Sequence, residues 1–512
     1  MKLERFKNAK RNTFWGMISK GVLLIFPFAV KNLIIKNLGI EYLGLNGLFT
    51  SILSILNLTE LGVGSAIVYS MYEPVARNDE KKICALMNLY KRIYRYIGLV
   101  VLCIGVLLIP VLPLFISGNV PSNINIYILY SIYLANSVIS YWLFAYKNCL
   151  LQVYQRSDIT SKITILLNIL MYSMQICVLI FVQNYYAYVI IIPLFSILLN
   201  IINAYYSTKI FPQYKCEGDI NKEELKKIIN KVAGLMINKI AYASRNAFDS
   251  VVISSFLGLE IVAIYNNYYY IVNSLSAVMV IFTTAISAGI GNSLVIENKE
   301  KNLNDLNVIN FLYMTLAGFA FSCLIVLYQP FMRIWVGDSF LFSNSIMFWF
   351  AEFFLIEKTE NIIGQYFDAA GLWWKGKWKG IIEAATNFIL NIILCHWLGV
   401  SGVIIATIIS LIFVGMPLTV YYVYKNVFEK SAIKYIFRQY LYSIAFTLIG
   451  IMCYGITSFI PIKEGIINEI VSMIVKLLVT TIITGLTFLL IFRKTIIFKQ
   501  TMIWIKKHIK NL

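Results

Sequence analysis

Apolar blocks of about 20 residues or more, parted by short polar breaks, recur from one end of this 512-residue chain to the other. An α-helix needs roughly 20 apolar residues to cross a hydrocarbon core of about 30 Å. Lipid offers unpaired backbone groups no partner, so a spanning segment must be a helix or a strand of a closed barrel. Blocks of this length select helices. The composition agrees, with 59% apolar and 13% charged residues, against the roughly 25% charged residues of ordinary globular chains. Counting the blocks predicts an all-α integral membrane protein of about fourteen transmembrane helices.

A net charge of +19 would suggest nucleic-acid binding in a soluble protein, but here its placement explains it. Lys and Arg concentrate in cytoplasmic loops of membrane proteins, and alternate breaks carry them here. Lys2, Arg5, Lys7, Lys10 and Arg11 lie on one side, as do Arg77, Lys81 and Lys82, then Lys222, Lys226 and Lys227. Lys299 and Lys301, Lys375 and Lys377, Lys430 and Lys434 follow, with Arg493 to Lys507 at the end. The other breaks, such as 117–123, are nearly free of basic residues. Both termini are therefore expected in the cytoplasm, the first helix is expected to be retained, and no nucleic acid is expected as a partner. Two histidines and eight cysteines without ligand spacing supply no metal site and predict apolar, buried cysteines.

An internal repeat organises the spans. Leu38-Gly39-Ile40-Glu41 after the first recurs 219 positions on as Leu257-Gly258-Leu259-Glu260 after the seventh. Lys20 pairs with Lys239 and Ala66 with Ala285 at the same shift. Six spans per copy is an even number, so the two six-helix lobes, spans 1–6 and 7–12, are parallel repeats. The expected domains are an N-terminal lobe over 1–210, an amphipathic cytoplasmic linker over 211–230, a C-terminal lobe over 231–430, and two further helices with a basic tail over 431–512.

Charges within the hydrocarbon are costly, about 2.5–3.5 kcal/mol each on insertion scales, and mark function by default. Asn238, Tyr242, Arg245 and Asp249 share one face of the seventh span, and Lys20, Pro27 and Lys31 make the equivalent stripe on the first. Cationic stripes suit an anionic substrate, since Lys and Arg bind phosphate oxygens through charge-assisted hydrogen bonds. The bland alternatives are that Arg245 and Asp249 neutralise each other and that Lys31 and Lys36 snorkel to the surface. Glu60 in the second span, and Glu352, Glu357, Lys358 and Glu360 in the tenth, are further buried candidates. Glu357 and Glu360 share a face with Asn361 and Gly364, fit either for coupling ions or for balancing lysines. The aromatic clusters Tyr268–Tyr270 and Trp373, Trp374 and Trp378 suit interface anchoring better than stacking on sugars.

Fourteen spans in two lobes, the stretch Leu38-Gly39-Ile40-Glu41-Tyr42-Leu43-Gly44-Leu45 and the Arg245-to-Asp249 pattern together resemble the Wzx-type polysaccharide exporters of the multidrug/oligosaccharidyl-lipid/polysaccharide superfamily. The resemblance implies a flippase moving an undecaprenyl-pyrophosphate-linked oligosaccharide across a bacterial cytoplasmic membrane by rocking of the lobes. It implies that Lys20, Lys31, Lys239 and Arg245, with Asn238 and Tyr242, hold the anionic substrate. Asp249, Glu60, Glu357 and Glu360 would then couple transport to H+ or Na+, with no other cofactor. Membrane lipids, polysaccharide polymerase and glycosyltransferases are the partners it suggests. Lipid II flippases and drug antiporters of the same superfamily are the nearest rivals. A membrane-embedded polymerase is the different-class alternative, but the short, nearly uncharged external breaks hold no acid/base constellation for it.

Overall fold

The computed structural model describes residues 5–57, 63–118, 120–226, 229, 247–460 and 465–509, which are helical or irregular, with no strand among them. Asn238, Lys239, Tyr242, Arg245 and Glu60 lie outside the described residues. The helices are α1 (Arg5–Asn37), α2 (Ile40–Leu56), α3 (Val63–Arg77), α4 (Glu80–Leu108), α5 (Ile126–Trp142), α6 (Asn148–Val153), α7 (Ser157–Cys177) and α8 (Tyr185–Ile210). After α9 (Ala247–Leu257) come α10 (Leu259–Ile296), α11 (Lys299–Val336), α12 (Asn344–Ala369), α13 (Lys377–Leu398), α14 (Val400–Ser410), α15 (Met416–Val423), α16 (Ile433–Ser458), α17 (Ile466–Phe492) and α18 (Ile496–Ile509). A π-turn, Leu411–Gly415, joins α14 to α15.

Ten stretches of the described residues are long and apolar enough to cross a membrane, and α5 with the following Ala145–Val153, bent by 46°, makes an eleventh. The other expected spans each meet a specific obstacle. The second is divided between α2 and α3, only the α9 part of the seventh is described, and the tenth is α12, whose four ionisable residues between 352 and 360 exceed the usual content of a span. The chain is thus an all-helical multi-pass membrane protein.

The repeat is visible in the backbone. Gly39 closes α1 with its N–H on the Ile34 carbonyl at 3.0 Å, and Gly258 closes α9 with its N–H on the Ile253 carbonyl at 3.2 Å. Both pairs obey the 219-residue shift. Both glycines hold positive φ, +131° and +95°, a region that a side chain disfavours, so the glycine of each Leu-Gly-Ile/Leu-Glu turn is demanded by the sharp exit from one helix into the next.

Contacts divide the chain into two compact units, 1–263 and 264–512. In the first, α1 lies along α7. Arg11 Nε is 3.0 Å from the buried Asp158 carboxylate, Phe26 stacks on Tyr172 at 5.3 Å between centroids, and the Asn37 amide donates to the Leu179 carbonyl at 2.9 Å. The segment after α8 is tied to α4 by Arg92–Asp219 and Lys82–Glu224 ion pairs of 2.7 and 2.6 Å. Residues 222–226 of the expected amphipathic linker are helical and 211–221 are irregular, while 227, 228 and 230 lie outside the described residues.

The second unit is built around α11, with Tyr313, Met314, Ala317 and Phe321 wholly buried. Its seam with α16 is reciprocal: a methyl added at Gly318 would meet the Phe446 ring, and one added at Gly450 would meet the Phe321 ring. Small residues of this kind let membrane helices approach closely. Tyr268 is neither an interface anchor nor a stacking platform. It is fully buried, donating to Gln329 Oε1 at 2.6 Å and packed on Phe342 and Phe350. Cys84, Cys149, Cys395 and Cys453 are buried as expected, whereas Cys103 and Cys177 face outward, because in a membrane protein the outer surface is apolar too.

Candidate functional site

Within unit 264–512 the charged positions of α12 are deep. At 1.5 Å per residue, Glu352, Glu357 and Glu360 lie about 12, 20 and 24 Å along the helix from Asn344. Bare carboxylates at such depth are costly, and the fold supplies each with partners on a different neighbour. Successive residues turn by about 100°, so Glu357 and Glu360, three apart, point roughly 60° away from one another and reach different helices.

Glu357 turns to α10. Lys358, whose side chain is 1% exposed, pairs with it at 2.5 Å. Both also contact the Ser276 hydroxyl, at 2.6 Å from the Lys358 amine and 3.3 Å from the Glu357 carboxylate. Glu360 turns to α13 and α15: Lys379 pairs with it and the Thr419 hydroxyl donates to it at 2.7 Å. Lys379 also lies 3.7 Å from Glu383, one helical turn on. The carboxylates of Glu360 and Glu383 crowd the π-turn at Gly415, where an added methyl would sit 3.0–3.2 Å from an oxygen of each. Glycine there leaves room for both. Asn361 donates its amide to the Tyr313 hydroxyl at 2.7 Å.

Glu352 differs from the others. Its carboxylate oxygens accept from the Thr447 hydroxyl of α16 at 3.1 and 2.9 Å, and no amine among the described residues lies within ion-pair distance of it.

Two members of this group, Lys379 and Glu383, were not singled out from the sequence, although a signal for them exists. Lys379, Glu383, Asn387, Asn391 and Cys395 recur every fourth residue of an otherwise apolar segment. In the structure Glu383, Asn387, Asn391 and Cys395 are all buried. Asn387 donates to the Thr407 hydroxyl of α14 at 2.9 Å, and Asn391 to Asn387 at 3.3 Å. A polar line therefore runs about 18 Å along α13.

Of the first-span candidates, Lys20 is exposed on α1 and Lys31 half-buried. Asp249 is buried, at 2% exposure, in α9. The described residues hold no cluster of His, Cys, Asp and Glu arranged for a metal ion.

Comparison with solved structures places this fold. The chain is similar to the lipid II flippase MurJ in an inward closed conformation (TM-score 0.67, 16% identity, 94% of this chain and 99% of that one). It is also similar to a multidrug resistance MATE family transporter of the MOP superfamily, in an inward-facing conformation (TM-score 0.60, 15% identity, 84% and 99%). A MATE family transporter of the same superfamily, outward-facing, gives TM-score 0.55 with 16% identity over 88% and 96%. All three are transporters or flippases rather than enzymes. No curated protein matches by sequence. The sequence model of the family described as "Polysaccharide biosynthesis protein" matches residues 9–277, more than half of the chain. With that match, on a fold shared with transporters of the MOP superfamily, the chain belongs to the polysaccharide biosynthesis protein family.

Proposed function

We propose that this protein is a flippase that moves an undecaprenyl-pyrophosphate-linked oligosaccharide unit from the inner to the outer leaflet of a bacterial cytoplasmic membrane by alternating access, with both termini cytoplasmic. The family match carries the reading: a chain that is helical membrane span almost throughout, in a family of polysaccharide biosynthesis, has lipid-linked sugar as its natural cargo. In this reading Lys20, Lys31, Lys239 and Arg245, helped by Asn238 and Tyr242, receive the pyrophosphate and acidic sugars, because ammonium and guanidinium groups replace the water that a phosphate loses in the membrane.

The acidic groups have the other task. Glu357 and Glu360 each lie beside a lysine and a hydroxyl, Glu383 beside a lysine, and Glu352 beside a hydroxyl, an arrangement suited to gaining and losing H+ or Na+ and unsuited to an anionic cargo. Asp249 and Glu60 are assigned to the same coupling. Glycosyltransferases and a polymerase would stand before and after this step. Lipid II is the second cargo to consider, supported by the likeness in fold to a lipid II flippase.

The test is leaflet-resolved detection of lipid-linked oligosaccharide in cells depleted of the protein and complemented with variants. Arg245→Ala and Lys20→Ala are expected to insert normally and to leave the lipid-linked unit in the inner leaflet, while Lys36→Ala, near a helix end, exports normally. Wild-type export by Arg245→Ala and Lys20→Ala at equal protein level would remove the substrate assignment. Accumulation of lipid II instead of the oligosaccharide would select the second cargo.

A further inference from the structure

The second unit holds a cavity of about 580 Å³ that the flippase reading does not use. It lies where the charged corner between α10 and α11 meets the C-terminal helix α18, and its volume falls within the roughly 300–1,000 Å³ of small-molecule sites. The corner is firmly built. Asn302, 2% exposed, donates its amide to the carbonyls of Ser293, Glu297 and Asn298 at 3.1–3.2 Å, and it accepts from the Ser293 hydroxyl at 2.9 Å. Tyr366 donates to the Asn302 carbonyl at 3.3 Å.

The polar wall presents Ser293, Asn304, Asp305, Tyr366, Gln500 and the indole of Trp504. Lys301 also lines it and is engaged by Glu297. Isoleucines of α10, α11 and α18 complete the lining. Amides and hydroxyls both donate and accept, the two charges on the wall are of opposite sign, and an aromatic ring and aliphatic side chains suit a C–H face. A phosphate would meet the Asp305 carboxylate, and an acyl chain would strand the amides. A neutral polyhydroxylated ring satisfies both the polar and the apolar groups of the lining.

We infer that this cavity is a carbohydrate subsite, which binds a neutral sugar of the lipid-linked cargo at the basic-loop side of the protein, an inference that rests on the flippase reading. Gly289 provides the means to test it, because it lines the cavity and a methyl added there meets no atom within 4 Å, so a larger side chain starts into open space.

The experiment is saturation-transfer NMR on the full-length chain in nanodiscs, with the oligosaccharide released by mild acid from the producing cell's own lipid-linked pool as probe. Saturation of the sugar protons is expected with the wild type. Gly289→Leu and Trp504→Ala, at unchanged thermal midpoint, are expected to weaken binding at least tenfold, and Lys36→Ala to leave it unchanged. No transfer to the sugar with the wild type, or equal affinity in Gly289→Leu, overturns the subsite. The two readings fail separately. Cavity-dependent sugar binding without export of the lipid-linked unit would remove the flippase reading and leave the subsite, whereas normal export without that binding would remove the subsite alone.

Discussion

Lys379 stands between two carboxylates, and its side chain is only 16% exposed. Removing one partner of a buried ion pair costs about 3–5 kcal/mol, since the remaining charge has lost its compensation. Lys379→Met is therefore expected to lower the thermal midpoint of the purified protein markedly. The double variant Lys379→Met/Glu360→Gln should recover part of that loss, because it removes one of the carboxylates with the amine. Absence of any recovery in the unfolding scan would argue that Lys379 acts through packing and not charge. Thr447 is a smaller case: Thr447→Val takes a hydroxyl donor from Glu352, and leaving a buried acceptor unmet costs about 1–3 kcal/mol. The same scan reads that loss, and the loss should vanish in Glu352→Leu.

At the scale of elements, the helices of the second unit meet through glycine where backbones come close. Gly402 of α14 marks a tight crossing, with an added methyl falling 2.0 Å from the Leu394 carbonyl oxygen of α13. A backbone oxygen cannot swing aside as a side chain can, so the helical hairpin must open. Gly402→Ala is expected to destabilise by about 1–3 kcal/mol, the usual cost of overpacking. Gly455 of α16 has nothing within 4 Å of such a methyl, and alanine is the better helix former by about 1 kcal/mol. Gly455→Ala should therefore be neutral or stabilising. Equal thermal midpoints for the two variants would contradict this account of the α13–α14 contact.

For the whole molecule, the distribution of Lys and Arg makes a topological prediction. Ser122, in the uncharged break before α5, and Lys299, at the start of α11 beside a basic break, should lie on opposite sides of the membrane. With an impermeant thiol reagent, Ser122→Cys is expected to label in intact cells, and Lys299→Cys only after permeabilisation. Labelling of both in intact cells would overturn the orientation on which inner-to-outer transport depends.

Much of the fold is written locally in the chain. Span length follows from the thickness of hydrocarbon, and the repeat from two Leu-Gly turns whose glycines occupy a backbone region that other residues avoid, so Gly39 and Gly258 were legible without any tertiary information. The partners of the deep charges were not. Lys358 and Ser276 are 82 residues apart, Thr447 and Glu352 are 95 apart, and Thr419 and Glu360 are 59 apart. A helix offers several faces to several neighbours, and the sequence of α12 states which residues share a stripe but not which neighbour each one meets. Packing made that choice. It sent Glu357 to α10, Glu360 to α13 and α15, and Glu352 to α16, because three carboxylates in a low-dielectric interior must each find a donor, and only the tertiary arrangement brings those donors within reach.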